Sequence, residues 1–218
     1  MKIKNVLFDL DGTIINPKVG ITESIRYTLR AFGFERIPEQ DDLRWCIGPP
    51  LRESFSIMLK TEDKAEIDEA VKVYRSNYNR EGIFQLKLYD GIVETIKTLK
   101  DEAFNVYIAT SKPRVMAVRI IDHLSLTGLF EGIYGAELDG TRNRKGDLIS
   151  YLLKQEKSSS DETIMVGDRK HDMIGAGENG ILSCGVTYGF GSKEELLNSG
   201  ADFLVQKPDE IPGIIFQI

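Results

Sequence analysis

Two aspartates stand two positions apart, directly after a short apolar run near the N-terminus. Residues 3–8 are rich in strand formers, and Asp9 and Asp11 follow them, with Gly12 at the turn. Residues i and i+2 of a strand point to the same side, so both carboxylates would leave the strand end close together. Close carboxylates repel unless a cation lies beside them, and Mg²⁺ prefers oxygen ligands. The spacing predicts a magnesium site, although Asp-Gly is also typical of an ordinary hairpin turn.

Further polar groups follow apolar runs later in the chain. They are Thr110, Ser111 and Lys112 after residues 104–109, Lys145 at the start of a predicted helix, and Asp168 and Asp172 after residues 163–166. Ligands of parallel sheets bind beyond the carboxyl ends of the strands, so we expect these side chains to gather around Asp9 and Asp11. Carboxylates suit a metal ion, whereas a hydroxyl, N–H groups at a helix start and a lysine suit a phosphate. This set is typical of phosphoryl transfer, with a carboxylate able to attack phosphorus.

The elements that must position these groups alternate between strand and helix patterns from residue 84 onward. Strands are predicted near residues 104–109, 133–134, 163–166, 182–186 and 202–205, and helices near residues 91–99, 113–124, 145–155 and 193–198. Such alternation predicts an α/β fold, in which a Rossmann-like parallel sheet is covered by helices on both faces.

Residues 16–82 have a helical pattern instead. Ile21, Ile25, Leu29 and Phe32 recur at the spacing of one helix face, and further helices are predicted near residues 39–45, from Pro50 and from residue 62. We therefore expect an α-helical domain of residues 16–82 inserted into an α/β core domain of residues 1–15 and 83–218. Arg52, at a helix start in the insert, is a candidate to bind a substrate phosphate or carboxylate, or else a surface residue without such a role.

The composition excludes several classes of protein. A chain of 218 residues with 41% hydrophobic and 28% charged residues is an ordinary globular composition. The net charge of −6 and the absence of a basic tract argue against binding a nucleic acid polymer. Cys46 and Cys184 are too far apart in sequence for a metal-type spacing, and no apolar run has the length of a signal peptide core or a membrane span. We expect a cytoplasmic protein, a monomer or a small homo-oligomer, that acts on a small molecule.

The four polar groups, in this order and at these separations, resemble the four motifs of the haloacid dehalogenase (HAD) superfamily of phosphotransferases. Asp9-Leu10-Asp11-Gly12-Thr13 resembles the first motif, Thr110 the second, Lys145 the third, and Gly167-Asp168 with Asp172 the fourth. The resemblance covers essentially the whole chain, because a helical insert after the first motif is similar to the small cap domain of that family. It implies a HAD-like core, a cap that closes over the site, and Mg²⁺ as cofactor.

The resemblance also implies a role for each residue. Asp9 would be the nucleophile that forms an aspartyl-phosphate, and Asp11 the general acid and base, which also ligates Mg²⁺ through its backbone carbonyl. The acids of the fourth motif would bind Mg²⁺ directly or through water: Asp168 would supply a carboxylate ligand, and Asp172 would orient a metal water or Lys145. The groups that would stabilise the phosphoryl oxygens are Thr110, Ser111, Lys112 and Lys145.

Within the superfamily, Gly48-Pro49-Pro50-Leu51, Thr110-Ser111-Lys112-Pro113 and Tyr188-Gly189-Phe190-Gly191 resemble the phosphoglycolate phosphatase-like subgroup. Asn16-Pro17 and Ser111 depart from the subgroup pattern near the active-site entrance. The resemblance implies a Mg²⁺-dependent phosphatase of a small phosphomonoester, phosphoglycolate before others. A 5′-nucleotidase, a pyrophosphatase and a sugar phosphomutase are the alternatives. A receiver-like phosphorylation switch fits less well. In receiver domains the nucleophile normally ends an internal strand and no helical cap follows it, whereas here the aspartate follows the first strand and a helical segment comes next.

Overall fold

The computed structural model describes residues 2–218 and divides them into two compact units. One unit comprises the residues up to Asn16 together with Leu88–Ile218, and the other is Pro17–Lys87. The first unit is an α/β unit and the second is helical. The expected domain limits of 16 and 82, and the function of the helical unit as a cap, stay predictions.

The regular elements are as follows. The strands are β1 (Asn5–Phe8), β2 (Ile15–Asn16), β3 (Lys87–Leu88), β4 (Asn105–Pro113), β5 (Gly132–Ala136), β6 (Thr163–Gly167), β7 (Leu182–Val186) and β8 (Phe203–Val205). The α-helices are α1 (Lys18–Ala31), α2 (Leu51–Leu59), α3 (Lys64–Arg80), α4 (Ile92–Asp101), α5 (Arg114–His123), α6 (Lys145–Glu156), α7 (Lys170–Glu178), α8 (Lys193–Asn198) and α9 (Ile211–Ile215). Short 3-10 helices span Asp41–Cys46, Gly82–Phe84, Thr127–Leu129, Ser160–Glu162 and Pro208–Glu210.

The main sheet of the described residues has six parallel strands in the order β5-β4-β1-β6-β7-β8. Strand β1 lies at its centre, and Phe8 is in register with Ile108 on one side and Val166 on the other. All four residues of β1 are buried, as expected for a strand that is covered on both faces. The predicted α/β, Rossmann-like fold is confirmed.

Alternate residues of the central strands face helices α6 and α7. One buried cluster joins these strand residues to the helices, and it contains Leu7, Tyr107, Ala109, Leu148, Ile149, Leu152, Met165, Ala176 and Ile181. Val6, Phe8, Val106 and Ile108 occupy the intervening positions and are equally buried. Burial on both faces fixes the register of β1, because a slip of one residue would exchange the two sets of side chains.

The helical unit contains three of the four residues of the predicted stripe on the buried face of α1, and the fourth, Phe32, lies just after the helix. Ile21, Ile25 and Leu29 of α1 are buried, and Ser24 Oγ lies 3.0 Å from Asn77 Oδ1 of α3 in the buried interior. The 3-10 helix Asp41–Cys46 takes the place of the helix expected near residues 39–45. Pro50 is the residue before α2 rather than a member of its first turn.

Two features of the described residues were not predicted. Helix α7 forms around Asp172, where the sequence analysis placed no helix, and β2 and β3 pair in a separate two-stranded sheet. None of the helices in residues 2–218 combines the length and apolar character that crossing a membrane requires.

Candidate active site

The turn after β1 positions the first two aspartates. The backbone N–H of Asp9 donates to Val166 O at 2.9 Å, which continues the pairing of β1 with β6 by one residue. The chain then turns back, and the N–H groups of Ile14 and Ile15 both donate to Leu10 O at 3.0 Å. Gly12 has a φ of +93°, and a Cβ there would lie 2.2 Å from Asp168 Oδ2. Both the backbone angle and the close approach of Asp168 therefore require glycine.

Lys145 joins the nucleophile candidate to the acidic motif. It is the first residue of α6 and is almost fully buried, at 5% exposure. Its Nζ lies 2.8 Å from Asp9 Oδ1 and 2.7 Å from Asp172 Oδ1, and it also donates to Ala109 O at 2.8 Å. Burial alone lowers the pKa of Lys145, but the carboxylates of Asp172 and Asp9 offset this, so that its pKa is raised. Lys145 therefore carries a fixed positive charge beside Asp9.

Asp172 is placed by the start of α7. It occupies the third position of the helix, and its Oδ2 accepts a hydrogen bond of 3.1 Å from the backbone N–H of Arg169, the residue before the helix. This half of a capping box fixes the orientation of the carboxylate, so that Oδ1 can accept a hydrogen bond from Lys145. Both oxygens of Asp172 are therefore engaged by the protein itself.

Asp168 is held by a segment for which sequence reasoning found no role. The backbone N–H of Phe190 donates to Asp168 Oδ2 at 2.7 Å, and Thr13 Oγ1 lies 3.5 Å from Oδ1. Tyr188 donates its hydroxyl to Thr13 O at 3.0 Å and so ties the same segment to the first turn. The only sequence signal for this arrangement was the Tyr188-Gly189-Phe190-Gly191 motif, which had served to suggest a subgroup.

Three buried carboxylates converge at the end of the sheet. Ligand oxygens of Asp9, Asp168 and Asp172 lie within 4.8 Å of one another. Burial raises the pKa of Asp168 well above its usual range, and the charges of Asp172 and Asp9 add to the shift. Burial also raises the pKa of Asp172, against the opposing charge of Lys145. A single lysine does not neutralise three carboxylates, so the cluster has the oxygen donors and the excess negative charge that a hard divalent cation requires.

A bulge in β4 positions the second motif. Thr110 is in register with Gly135 of β5 and Pro113 with Ala136, so that Ser111 and Lys112 are extra residues on the β4 side. The backbone N–H of Lys112 donates to Thr110 Oγ1 at 3.3 Å. The hydroxyl hydrogen of Thr110 can therefore be donated to another oxygen.

The bulge also brings Lys112 to Asp11. Lys112 Nζ lies 2.5 Å from Asp11 Oδ2, and the two side chains are 7% and 14% exposed. Burial raises the pKa of Asp11, and the charge and hydrogen bond of Lys112 reduce that shift without cancelling it. Asp11 Oδ1 is buried and has no hydrogen-bond partner among the described residues.

The structure therefore brings most of the predicted site residues together at the carboxyl ends of β1, β4 and β6. They are Asp9, Asp11, Thr110, Ser111, Lys112, Lys145, Asp168 and Asp172. Arg52 belongs to the helical unit, where its guanidinium pairs with Asp68 and is mostly exposed. Its predicted role in substrate binding stays a prediction.

Residues 6–186 match the sequence model of a family described as haloacid dehalogenase-like hydrolase. A protein of Pseudomonas aeruginosa named 5′-nucleotidase is 41% identical over 196 residues, which cover 90% of this chain and 88% of that protein. The pyrophosphatase PpaX of Halalkalibacterium halodurans is 30% identical over 99% of this chain and 98% of its own length. The crystal structure of a predicted phosphatase from Clostridium acetobutylicum superposes with a TM-score of 0.94, at 40% identity over 100% of both chains.

Proposed function

Because the chain belongs to the haloacid dehalogenase-like hydrolase family, we propose that it is a Mg²⁺-dependent phosphatase of small phosphate esters that works through an aspartyl-phosphate. The predicted family is confirmed by this match, and the names of the relatives agree with the predicted class of enzyme. One observation carries the proposed mechanism. Asp9 directly follows the central strand, Lys145 Nζ lies 2.8 Å from its Oδ1, and Asp9 belongs to a cluster of buried carboxylates.

The donor set fits Mg²⁺. Asp9, Asp168 and the backbone carbonyl of Asp11 would hold the ion, and when bound it would offset the charge repulsion between a phosphate dianion and the carboxylates. Asp172 has both oxygens engaged, by Lys145 and by the N–H of Arg169, which supports a role in orienting Lys145.

In the first half-reaction, Asp9 attacks phosphorus in line with the leaving oxygen. A bond forms between an Asp9 carboxylate oxygen and phosphorus while the bond from phosphorus to the leaving oxygen breaks. Asp11 gives its proton to that leaving oxygen, which departs as an alcohol. Lys145 and the hydroxyl of Thr110 stabilise the negative charge on the transferring oxygens.

In the second half-reaction, a water molecule replaces the alcohol. Asp11, now a carboxylate, takes a proton from the water as its oxygen attacks phosphorus. The bond from phosphorus to Asp9 breaks, inorganic phosphate leaves, and the Asp9 carboxylate and the protonated Asp11 are both restored. The raised pKa of Asp11, caused by burial and moderated by Lys112, suits a group that alternates between acid and base.

The identity of the leaving group is the most specific part of the proposal. The phosphoglycolate phosphatase-like motifs support glycolate, the name of the 41% identical relative supports a nucleoside, and the name of the 30% identical relative supports pyrophosphate. The corresponding substrates are phosphoglycolate, a nucleoside 5′-monophosphate and pyrophosphate, which are esters or an anhydride of phosphate that the same aspartates would serve. We place nucleoside 5′-monophosphates first in the test, because the relative named 5′-nucleotidase has the higher identity of the two.

The proposal is tested by phosphate release from a panel of nucleoside 5′-monophosphates, pyrophosphate, phosphoglycolate and hexose phosphates. Native protein is compared with Asp9→Asn, each with Mg²⁺ or with EDTA. We expect turnover that needs Mg²⁺ and falls on the order of 10³-fold or more in the variant, because the nucleophile is lost. Absence of turnover by native protein with Mg²⁺ would overturn the proposal. Isomerisation of a hexose phosphate without release of phosphate would identify a mutase instead.

A further inference from the structure

We infer that Lys112 is a positioning residue for Asp11, and that it holds one carboxylate oxygen so that the other is presented to the leaving group and to water. The inference rests on the proposed function and adds a role to it. Lys112 was predicted to bind the substrate phosphate, and the structure instead shows its ammonium group on the proposed acid and base.

The backbone places Lys112 for this contact. The bulge in β4 adds Ser111 and Lys112 between two residues that are in register with consecutive residues of β5. Residues added in a bulge are left without partners in the ladder and bend the strand, and here the Lys112 N–H donates to Thr110 Oγ1 within the bulge.

The contact distinguishes the two oxygens of Asp11. Oδ2 lies 2.5 Å from Lys112 Nζ, whereas Oδ1 is buried and meets no hydrogen-bond partner among residues 2–218. A buried carboxylate oxygen without a partner costs free energy, so such an oxygen in a folded protein calls for an explanation. A substrate or water oxygen that exchanges a proton with Oδ1 supplies the missing partner.

The two buried lysines of the site are therefore divided between the two reacting aspartates. Lys145 contacts Asp9 and Asp172, and Lys112 contacts Asp11. A phosphate-binding lysine would act on every ester alike, because all of them carry the same phosphoryl group. A lysine that acts through Asp11 would act most on esters whose leaving oxygen needs a proton.

These two roles of Lys112 can be distinguished with two esters that differ in whether the leaving group needs a proton. Native protein, Lys112→Met and Asp11→Asn are assayed for kcat/KM with 4-nitrophenyl phosphate, whose leaving group departs without a proton, and with an alkyl phosphate, whose leaving group requires one. We expect Lys112→Met to reduce kcat/KM on the order of 10²-fold for the alkyl ester and less than about threefold for the aryl ester. Asp11→Asn should show the same selectivity, and the double variant should lose no more than Asp11→Asn alone, because both changes remove one function.

Two further variants serve as controls. Lys112→Gln can still donate a hydrogen bond to Asp11, so it should recover part of the alkyl ester activity, and it stands in for Lys112→Met if that variant does not fold. Lys100→Met removes a lysine that pairs with Glu131 elsewhere in the α/β unit, and should leave both rates unchanged.

An equal loss for both esters, with weaker inhibition by inorganic phosphate, would overturn the positioning role and return Lys112 to phosphate binding. Additive losses in the double variant would overturn it as well. If native protein hydrolysed neither ester nor any member of the wider panel, the proposed function itself would fail, which is a separate outcome from a change in selectivity.

Discussion

Asp172 accepts hydrogen bonds from two different donors, Lys145 Nζ at 2.7 Å and the backbone N–H of Arg169 at 3.1 Å. The first bond reaches α6 and the second closes the first turn of α7, so one carboxylate fixes both the start of a helix and the direction of a buried ammonium group. The same ammonium group lies 2.8 Å from Asp9 Oδ1. The position of Lys145 at the nucleophile therefore depends on a residue that need not touch the substrate.

Replacing Asp172 by asparagine should lower kcat about 10- to 100-fold, the usual cost of losing a group that orients another at a metal or phosphate site. The amide has one acceptor oxygen, so it can serve either Lys145 or the Arg169 N–H, and its NH₂ group then faces the remaining donor. Steady-state assays of the Asp172→Asn variant on the best substrate of the panel measure the loss.

Asp147→Asn is the matched control for this change. Asp147 also lies in the first turn of a helix, α6, but is exposed. Its replacement should leave kcat within about twofold, as for most surface substitutions. Full activity of Asp172→Asn would contradict the orienting role.

Replacing Asp168 by asparagine should stabilise the metal-free protein. The change removes a carboxyl group whose charged form is opposed by burial and by two neighbouring carboxylates, and the amide can still accept from the Phe190 N–H while it donates to the Thr13 hydroxyl. We expect the melting temperature in EDTA to rise by about 2–4 °C, which corresponds to roughly 1 kcal/mol in a chain of this size. The stabilisation of native protein by added Mg²⁺ should disappear in the variant, because a ligand is lost.

Thermal melting of native protein and the Asp168→Asn variant, with EDTA and then with a series of Mg²⁺ concentrations, tests both parts without any substrate. Asp41→Asn is the control, since Asp41 is an exposed carboxylate paired with Lys18 in the helical unit. That variant should keep the Mg²⁺-dependent shift. A shift that survives in Asp168→Asn would place the metal elsewhere.

The general position of the site could be predicted because it follows from the direction of the strands. Polar residues at the carboxyl ends of parallel strands meet at one edge, whatever the details of the loops. The limits of β7 and α8 agree with the prediction because their apolar patterns and the Ser192 cap before α8 are local signals. Helix α7 was missed because its sequence, KHDMIGAGE, contains two glycines and only a weak apolar stripe.

The details of the site could not be predicted, because they depend on contacts between distant segments. Pro113 is a local signal of an irregular strand end, but it does not indicate that two extra residues precede it or that the Lys112 ammonium group reaches Asp11. The hydrogen bond from the Phe190 N–H to Asp168 Oδ2 joins residues that are 22 positions apart in the sequence. Such contacts arise when the sheet assembles, so they leave no periodic pattern to detect.

The two glycines of α7 give a final test, because they differ in their surroundings. A Cβ at Gly175 would lie 2.9 Å from Lys145 Cγ and 3.0 Å from the backbone nitrogen of Gly146, whereas a Cβ at Gly177 would meet nothing within 4 Å. Gly175→Ala must push α7 away from α6 at the residue that carries the ammonium group. We expect it to destabilise the protein by about 1–3 kcal/mol, as overpacking does, and to lower kcat on the order of tenfold by displacing Lys145.

Gly177→Ala is the matched control in the same helix, and it should stabilise the protein by about 0.5–1 kcal/mol through its higher helix propensity, with kcat unchanged. Melting temperatures and steady-state kcat values of the two variants, measured side by side, separate close packing from propensity. Equal effects of the two substitutions would show that α7 has room at Gly175 and that the close approach to α6 does not position Lys145.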